Sequence, residues 1–146
     1  MNQKIVIIGS SNTDMVIQSD RLPKPGETIL GGTFKTVQGG KGANQAVAAA
    51  KAGGNVTFIA RVGNDSLGKE AIKSYQEAGI PSNTIITDYQ QPTGVALINV
   101  SKQGENSIVV APGANANLSI NDIMNLKDHI IKAEIVLMQL ETPIET

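Results

Sequence analysis

The spacing of apolar residues changes several times along the chain, and each change marks an element. Lys4–Ile8 is a β-branched run ending at Gly9, which predicts a buried strand and a turn. A second strand is predicted over 14–18. Residues 21–27, RLPKPGE, are broken by proline and glycine and predict a loop. The Thr-rich stretch 28–37 reads as extended. Three of the five residues in 38–42 are glycine, so irregular structure is expected there. Helix formers fill 43–52, and Gly53 with Gly54 closes that helix. A strand over 56–62 follows. Then comes a helix capped by Ser66 that runs to 78, with Gly79 at its end and Pro81 beyond. A short strand is predicted over 84–87.

The alternation then lapses. Gly94–Ser101 and Asn106–Ala111 read as strands joined by the hairpin signal KQGE, with no helix between them. In SINDIMNLKDHIIKAE, residues 119–134, Ser119 caps a helix in which Ile123, Leu126, Ile130 and Ile131 recur at helical spacing. An apolar strand over 135–140 ends just before Glu141. Alternating strands and helices predict an α/β fold, a parallel sheet covered by helices. The strands near 14–18, 28–37, 94–101 and 106–111 do not fit that order. They are expected to form a separate small antiparallel sheet, serving as a lid or an interaction surface. There is no internal repeat and no low-complexity linker.

Composition narrows the function classes. The chain has 146 residues, a formal net charge of −1 and no cysteine. A balanced charge argues against nucleic acid as a partner, and aromatics at 3% leave little for base stacking. Disulfides, thiolate metal sites and thiol catalysis are excluded. The apolar run in MNQKIVIIGS is too short for a signal peptide or a membrane span, so a cytoplasmic protein is the expectation. His129 is the only histidine and is assigned no role, which rules out a histidine-based triad or a multi-histidine metal site.

Three stretches carry candidate chemistry. VQGGKGANQAVAAAKAGG, residues 37–54, has the look of a phosphate loop. It fails the G-x-x-x-x-G-K-[ST] pattern, because position 35 is Lys35 and Gly42 follows Lys41. It fails G-x-G-x-x-G at Gln45. What remains is a donor-rich helix start with polar reach from Lys41 and Asn44, which suits the hydroxyls of a neutral polyol. A plain glycine turn before an Ala-rich helix fits equally well. In GSSNTDMV, Asn12 and Asp14 share one face of an extended segment at a strand's end, where they could grip a vicinal diol or be ordinary turn residues. Glu141, in MQLETP, also follows a strand, and a solvated loop carboxylate is its plainer reading.

Taken in order, GSSNTDMV, PGET, GGKGANQAVAAAKAG, ARVGNDSLG, TGVALINV, PGANANL and MQLETP closely resemble the ribokinase-like (phosphofructokinase-B) carbohydrate kinase family along essentially the whole chain. The resemblance implies a partial doubly wound parallel sheet with helices on both faces and a small antiparallel β lid. It implies a sugar site formed by Asn12, Asp14, Gly40, Lys41, Gly42, Asn44 and Glu141, with Gly39 and Gly40 as the hinge. Ala96, Ile98 and Val110 would line the apolar inner face of the lid. The implied activity is transfer of the γ-phosphoryl of MgATP to the 5-hydroxyl of D-ribose. A monovalent cation, potassium, and a homodimer formed through the lid sheet go with it. The alternatives are a sugar-binding or lid-dimerising module without catalysis, and a sister kinase acting on another sugar or a nucleoside.

Members of that family are roughly twice as long. Their other half carries the nucleotide site, the anion hole and the catalytic aspartate, the last two in a G-A-G-D-like motif, and nothing here resembles that motif. The expectation is therefore an N-terminal, sugar-binding half spanning 1–146, with no catalytic residue or bound metal of its own. Such a half would be inactive alone, and its exposed sheet edge would favour association.

Overall fold

The structure is a computed structural model that describes residues 4–146; Met1, Asn2 and Gln3, at the start of the N-terminal segment read above, lie outside it. In chain order the elements are β1 (Lys4–Ile8), β2 (Asn12–Ser19), β3 (Thr33–Gly39), α1 (Lys41–Lys51), β4 (Asn55–Gly63), α2 (Ser66–Glu77), β5 (Ile85–Asp88), β6 (Gly94–Ser101), β7 (Asn106–Ala111), a 3-10 turn (Gly113–Asn117), α3 (Ile120–Asn125), α4 (Lys127–Ile131) and β8 (Ile135–Met138). They build two four-stranded sheets.

The first sheet, ordered β5-β4-β1-β8, is wholly parallel. Its strands alternate between two cores, as a pleated backbone requires. Ile7, Val56, Phe58, Ala60 and Val62 face α1 and α2, where they meet Ala43, Ala46, Ala71 and Tyr75. The Phe58 and Tyr75 rings touch edge to face, 5.3 Å between centroids. Val6, Ile8 and Ile59 point the other way, against Leu118, Ile123, Leu126 and Ile130. The helices thus cover both faces, as expected. Among the described residues no helix is long and apolar enough to cross a membrane.

The second sheet, β3-β2-β6-β7, gathers the strands expected to form the lid and is called the lid below. It is mixed rather than antiparallel. The two hairpin arms β2–β3 and β6–β7 are antiparallel, but β2 and β6 pair in parallel at the centre. Both of these strands leave the C-terminal ends of parallel strands of the first sheet, so both start upward, and β3 and β7 bring the chain back.

Several local expectations are corrected. Residues 38–42 are not irregular: Gly39 still pairs with Asn12 in the ladder, and α1 starts at Lys41. Only Gly40 turns the corner, at φ 91°. The extended stretch 28–37 becomes strand only from Thr33, after Gly31 and Gly32 at positive φ. Asp65, not Ser66, caps α2, accepting from the Gly68 N–H at 2.8 Å. Ser119 does cap its helix, through a capping box with Asp122. That helix, however, breaks at Leu126 into α3 and α4, and Ile131 ends up exposed. The strand after it stops at Met138 rather than 140.

Candidate functional site

The chain crosses between the two sheets four times, and the predicted residues gather around the crossings. At the first, β1 passes into β2 through Gly9, Ser10 and Ser11. At the second, β3 passes through Gly40 into α1. Here the backbones lie so close that a Cβ at Gly40 would sit 2.8 Å from the Ser10 carbonyl oxygen and 2.9 Å from the Asn12 nitrogen. Gly42, in the first turn of α1, packs against Gly9 with 2.6 Å available to a Cβ. The Ala43 N–H donates to the Ser10 carbonyl (2.9 Å), locking the helix start to the first crossing.

Glu141, just beyond β8, reaches into this junction. Its Oε2 accepts from Ser10 Oγ (2.7 Å) and from the Lys41 backbone N–H (3.1 Å), and the Lys41 ammonium pairs with its Oε1. Burial would raise the Glu141 carboxyl, but Lys41 and Ser10 together hold it below its usual value. The anion position at the start of α1 is therefore filled by a carboxylate of the chain itself. That removes the phosphate-cradle reading of the glycine stretch on physical grounds, since a phosphate there would have to displace Glu141.

Asn12 and Asp14 come from β2 on the same face. Asn12 is buried, and its Oδ1 accepts from Asn115 Nδ2 at 2.7 Å. Asp14 is half-buried and folds over Gly39, where any Cβ would collide with its carboxylate. Burial first, and then the charge of Glu141, push its carboxyl above the ordinary value. Strand pairing puts Asp14, Ala96 and Val110 in one row and Ile98 two residues along the same face. Ala96 is buried there, Ile98 is half-buried and Val110 is exposed.

A cavity of about 470 Å³ opens beside this cluster, lined by Ser10, Asn12, Val110, Asn115, Leu140 and Glu141 among others. Asn12 and Glu141 thus line it directly. Lys41, Gly40 and Gly42 join through their contacts with Glu141, Ser10 and Asn12, and Asp14 through the field of Glu141. Asn44 does not join them. It lines a separate cavity of about 290 Å³ with Gln38, Val47 and Tyr75. His129 is exposed on α4. Two site residues escape a reading by motif, Ser10 and Asn115. Ser10 adjoins the Asn12 segment, but nothing in the spacing ties Asn115 to a strand over a hundred positions earlier.

Amide donors, two carboxylates, one ammonium and an apolar wall suit a neutral polyol: hydroxyls both donate and accept, and the wall takes the carbon face. Among the described residues no group of three or more histidine, cysteine or acidic side chains could hold a metal ion.

Comparison with known proteins finds similarity to sugar kinases. A family model described as pfkB family carbohydrate kinase matches residues 2–143. The ribokinase of Haemophilus influenzae is 44% identical over 144 residues, 99% of this chain and 47% of its own length. The solved ribokinase of Giardia lamblia superimposes with a TM-score of 0.90 at 41% identity, over 98% of this chain and 43% of that one. The ribokinase of Arabidopsis thaliana, solved in complex with ribose and ATP, gives 0.82 at 35% identity, over 98% of this chain and 47% of that one. The chain spans about half the length of the curated relatives it matches. With a family match over nearly all of its residues and the same two-sheet frame, the chain belongs to the pfkB family of carbohydrate kinases.

Proposed function

We propose that these residues form the sugar-recognition part of a ribokinase, whose whole reaction moves the γ-phosphoryl of MgATP to the 5-hydroxyl of D-ribose. The observation that carries the reading is the meeting of Asn12 and Asp14 on β2 with a Glu141 held by Ser10 and Lys41, beside a cavity walled by Val110 and Leu140. Similarity to ribokinases, one of them solved with ribose and ATP, supports ribose as the sugar and ATP as the phosphoryl donor.

In this reading Asn12 donates to a sugar oxygen and Asp14 accepts from a neighbouring hydroxyl. Lys41 and Gly42 at the start of α1, with Glu141, hold a further hydroxyl. Gly40 is the hinge about which the lid closes, Gly39 gives Asp14 its room, and Asn44 reaches the sugar only after that closure. Ala96, Ile98 and Val110 form the lid's apolar cover. Glu141, the carboxylate that lines the cavity, is engaged by Ser10 and Lys41, which supports the reading that residues 1–146 bind ribose without turning it over. Potassium and magnesium act with the nucleotide side of the reaction. Exposed apolar residues on both faces of the lid, Ile108 and Val110 on one and Leu97 and Val109 on the other, support a homodimer through that sheet.

Calorimetric titration tests the reading, with D-ribose, 2-deoxyribose and fructose added to the chain and to Asp14→Ala. Saturable ribose binding that Asp14→Ala weakens at least tenfold is expected. Ribose binding unaffected by Asp14→Ala would move the site elsewhere. No sugar binding by a chain that melts cooperatively would leave the non-catalytic interaction module.

A further inference from the structure

We infer that Asn115 is a positioning residue for sugar recognition: it fixes the side-chain amide of Asn12 so that only N–H donors face the cavity. The inference rests on the sugar-site reading above and goes beyond it by assigning the polarity of one contact and its cause.

The orientation follows from a chain of donors and acceptors. Asn115 lies in the 3-10 turn after β7, only 2% exposed. The backbone N–H of Ser11 points at one end of its amide, at 2.8 Å. A backbone N–H can only donate, so that end must be Oδ1. The other end is therefore Nδ2, and every atom around it is an acceptor: the carbonyls of Ser11 (3.1 Å) and Pro112 (3.0 Å), and the Asn12 side chain at 2.7 Å. The Asn12 atom facing Asn115 must then be Oδ1. Its Nδ2, which has no acceptor among the described residues, is left for the cavity that Asn12 lines.

Two turned-over alternatives are closed by the same geometry. Reversing Asn115 would set an NH₂ against the Ser11 N–H and an oxygen against two carbonyls. Reversing Asn12 alone would set two NH₂ groups against each other. The neighbours leave no slack, because a Cβ on Gly94 would collide with both amides. Asn115 also ties the first crossing, at Ser11, to the last, at Pro112, so the donor is held to the body and not only to the lid. Asn12 and Asp14 then read a diol with opposite polarity, one giving a hydrogen and one taking it. A sugar carbon lacking the hydroxyl oxygen opposite Asn12 would leave that donor unmatched.

The test uses ribose titration of the chain, of Asn12→Ala, of Asn115→Asp, and of the double variant, with a thermal melt of each. Asn115→Asp still accepts from Ser11, but it turns an oxygen toward Asn12 and forces that amide over, so an acceptor faces the sugar. Ribose affinity is expected to fall about tenfold or more in Asn115→Asp. In the Asn12→Ala background the same change should add less than about twofold, because Asn115 acts through Asn12. Independent, multiplying losses would overturn the inference and make Asn115 a general brace, and so would unchanged affinity in Asn115→Asp. A second measurement needs neither a variant nor sugar binding. On isotope-labelled wild-type chain, the coupling across the hydrogen bond should connect Asn115 Nδ2 with the Asn12 carboxamide carbon. Coupling in the reverse sense, from Asn12 Nδ2 to Asn115, overturns the inference. The forward coupling together with absent ribose binding would keep the orientation and sink the sugar reading.

Discussion

The two sheets have equal numbers of strands and are held together differently. The parallel sheet is sandwiched at its inner strands β1 and β4, where Phe58, Ile59 and Ile7 are completely shielded along with Tyr75 of α2, and hydrophobic burial on both faces supplies stability there, while its edge strand β8 is exposed. The lid has no such core. Leu97, Val109 and Phe34 are exposed on one face, Val37, Ile108 and Val110 on the other, and the backbone ladders do most of the work. What fixes the lid to the body is polar. Asn115 ties two of the crossings, and Asp65 caps α2 while accepting from the Thr93 N–H (2.8 Å) and hydroxyl (2.7 Å) at a third. On the proposed function, a sugar site at the junction would combine the shielded body on one side with a sheet fastened at its base on the other.

The sharpest way to break this contrast is a pair of truncations. Phe58→Ala should cost about 3–5 kcal/mol in urea unfolding, whereas Leu97→Ala on the half-exposed lid should cost under about 1 kcal/mol. Comparable losses would mean that the lid has a core of its own or a permanent partner.

The next prediction concerns the body's buried polar key. Arg61 bonds Asp88 (2.8 Å) and Asp122 (2.9 Å), joining β4, β5 and α3. Burial opposes the Asp88 charge, yet the Gln90 and Gln91 N–H groups, Arg61 and Asn117 hold its carboxyl far below 3.8. A depressed carboxylate contributes stability above its unfolded value and loses it as pH falls through the folded one. Asp88→Ala should cost about 3 kcal/mol at neutral pH. The difference from wild type should begin to shrink as pH falls below about 3.8 and go on shrinking into strong acid, as thermal melts against pH would record.

Smaller effects belong to the hinge. Gly40→Ala must hold a side chain at φ 91° against the Ser10 carbonyl, so a loss of about 1–2 kcal/mol is expected, with weaker ribose binding in the same titration. An unchanged melt would show that the second crossing is slack.

The smallest effect has the opposite sign. Asp14 is raised by burial and by Glu141, so its carboxyl costs stability once pH rises through the folded value. Asp14→Asn should therefore raise the melting temperature at pH 7 by a degree or two, with no gain below pH 3.8, while ribose affinity drops at least tenfold. A destabilised Asp14→Asn would make this residue a brace rather than a sugar ligand.

Much of this was legible in the sequence, and the legible part has a common character. Strand and helix positions in the parallel sheet follow from apolar period, glycine stops and caps, all of which act within a few residues. The separate lid was visible as strands without intervening helices. Local signals misled where a neighbour overrode them. Gly39 reads as a breaker but is held in a ladder by Asn12. Leu126 reads as mid-helix, but there the chain breaks into two short helices that keep Leu126 and Ile130 on the core.

The sequence by itself determined the α/β class and the two-sheet division, and it singled out the glycine stretch with Asn12, Asp14 and Glu141, which the proposed function takes as the carriers of sugar recognition. Only the tertiary structure decided how they combine. It made the lid's centre parallel, because β2 and β6 leave the same end of one sheet. It filled the start of α1 with Glu141, and it set Asn115 against Asn12 across 103 positions. Period and propensity act over a turn or a pleat. The polarity of a buried amide is set by whichever donors and acceptors the fold brings to its ends.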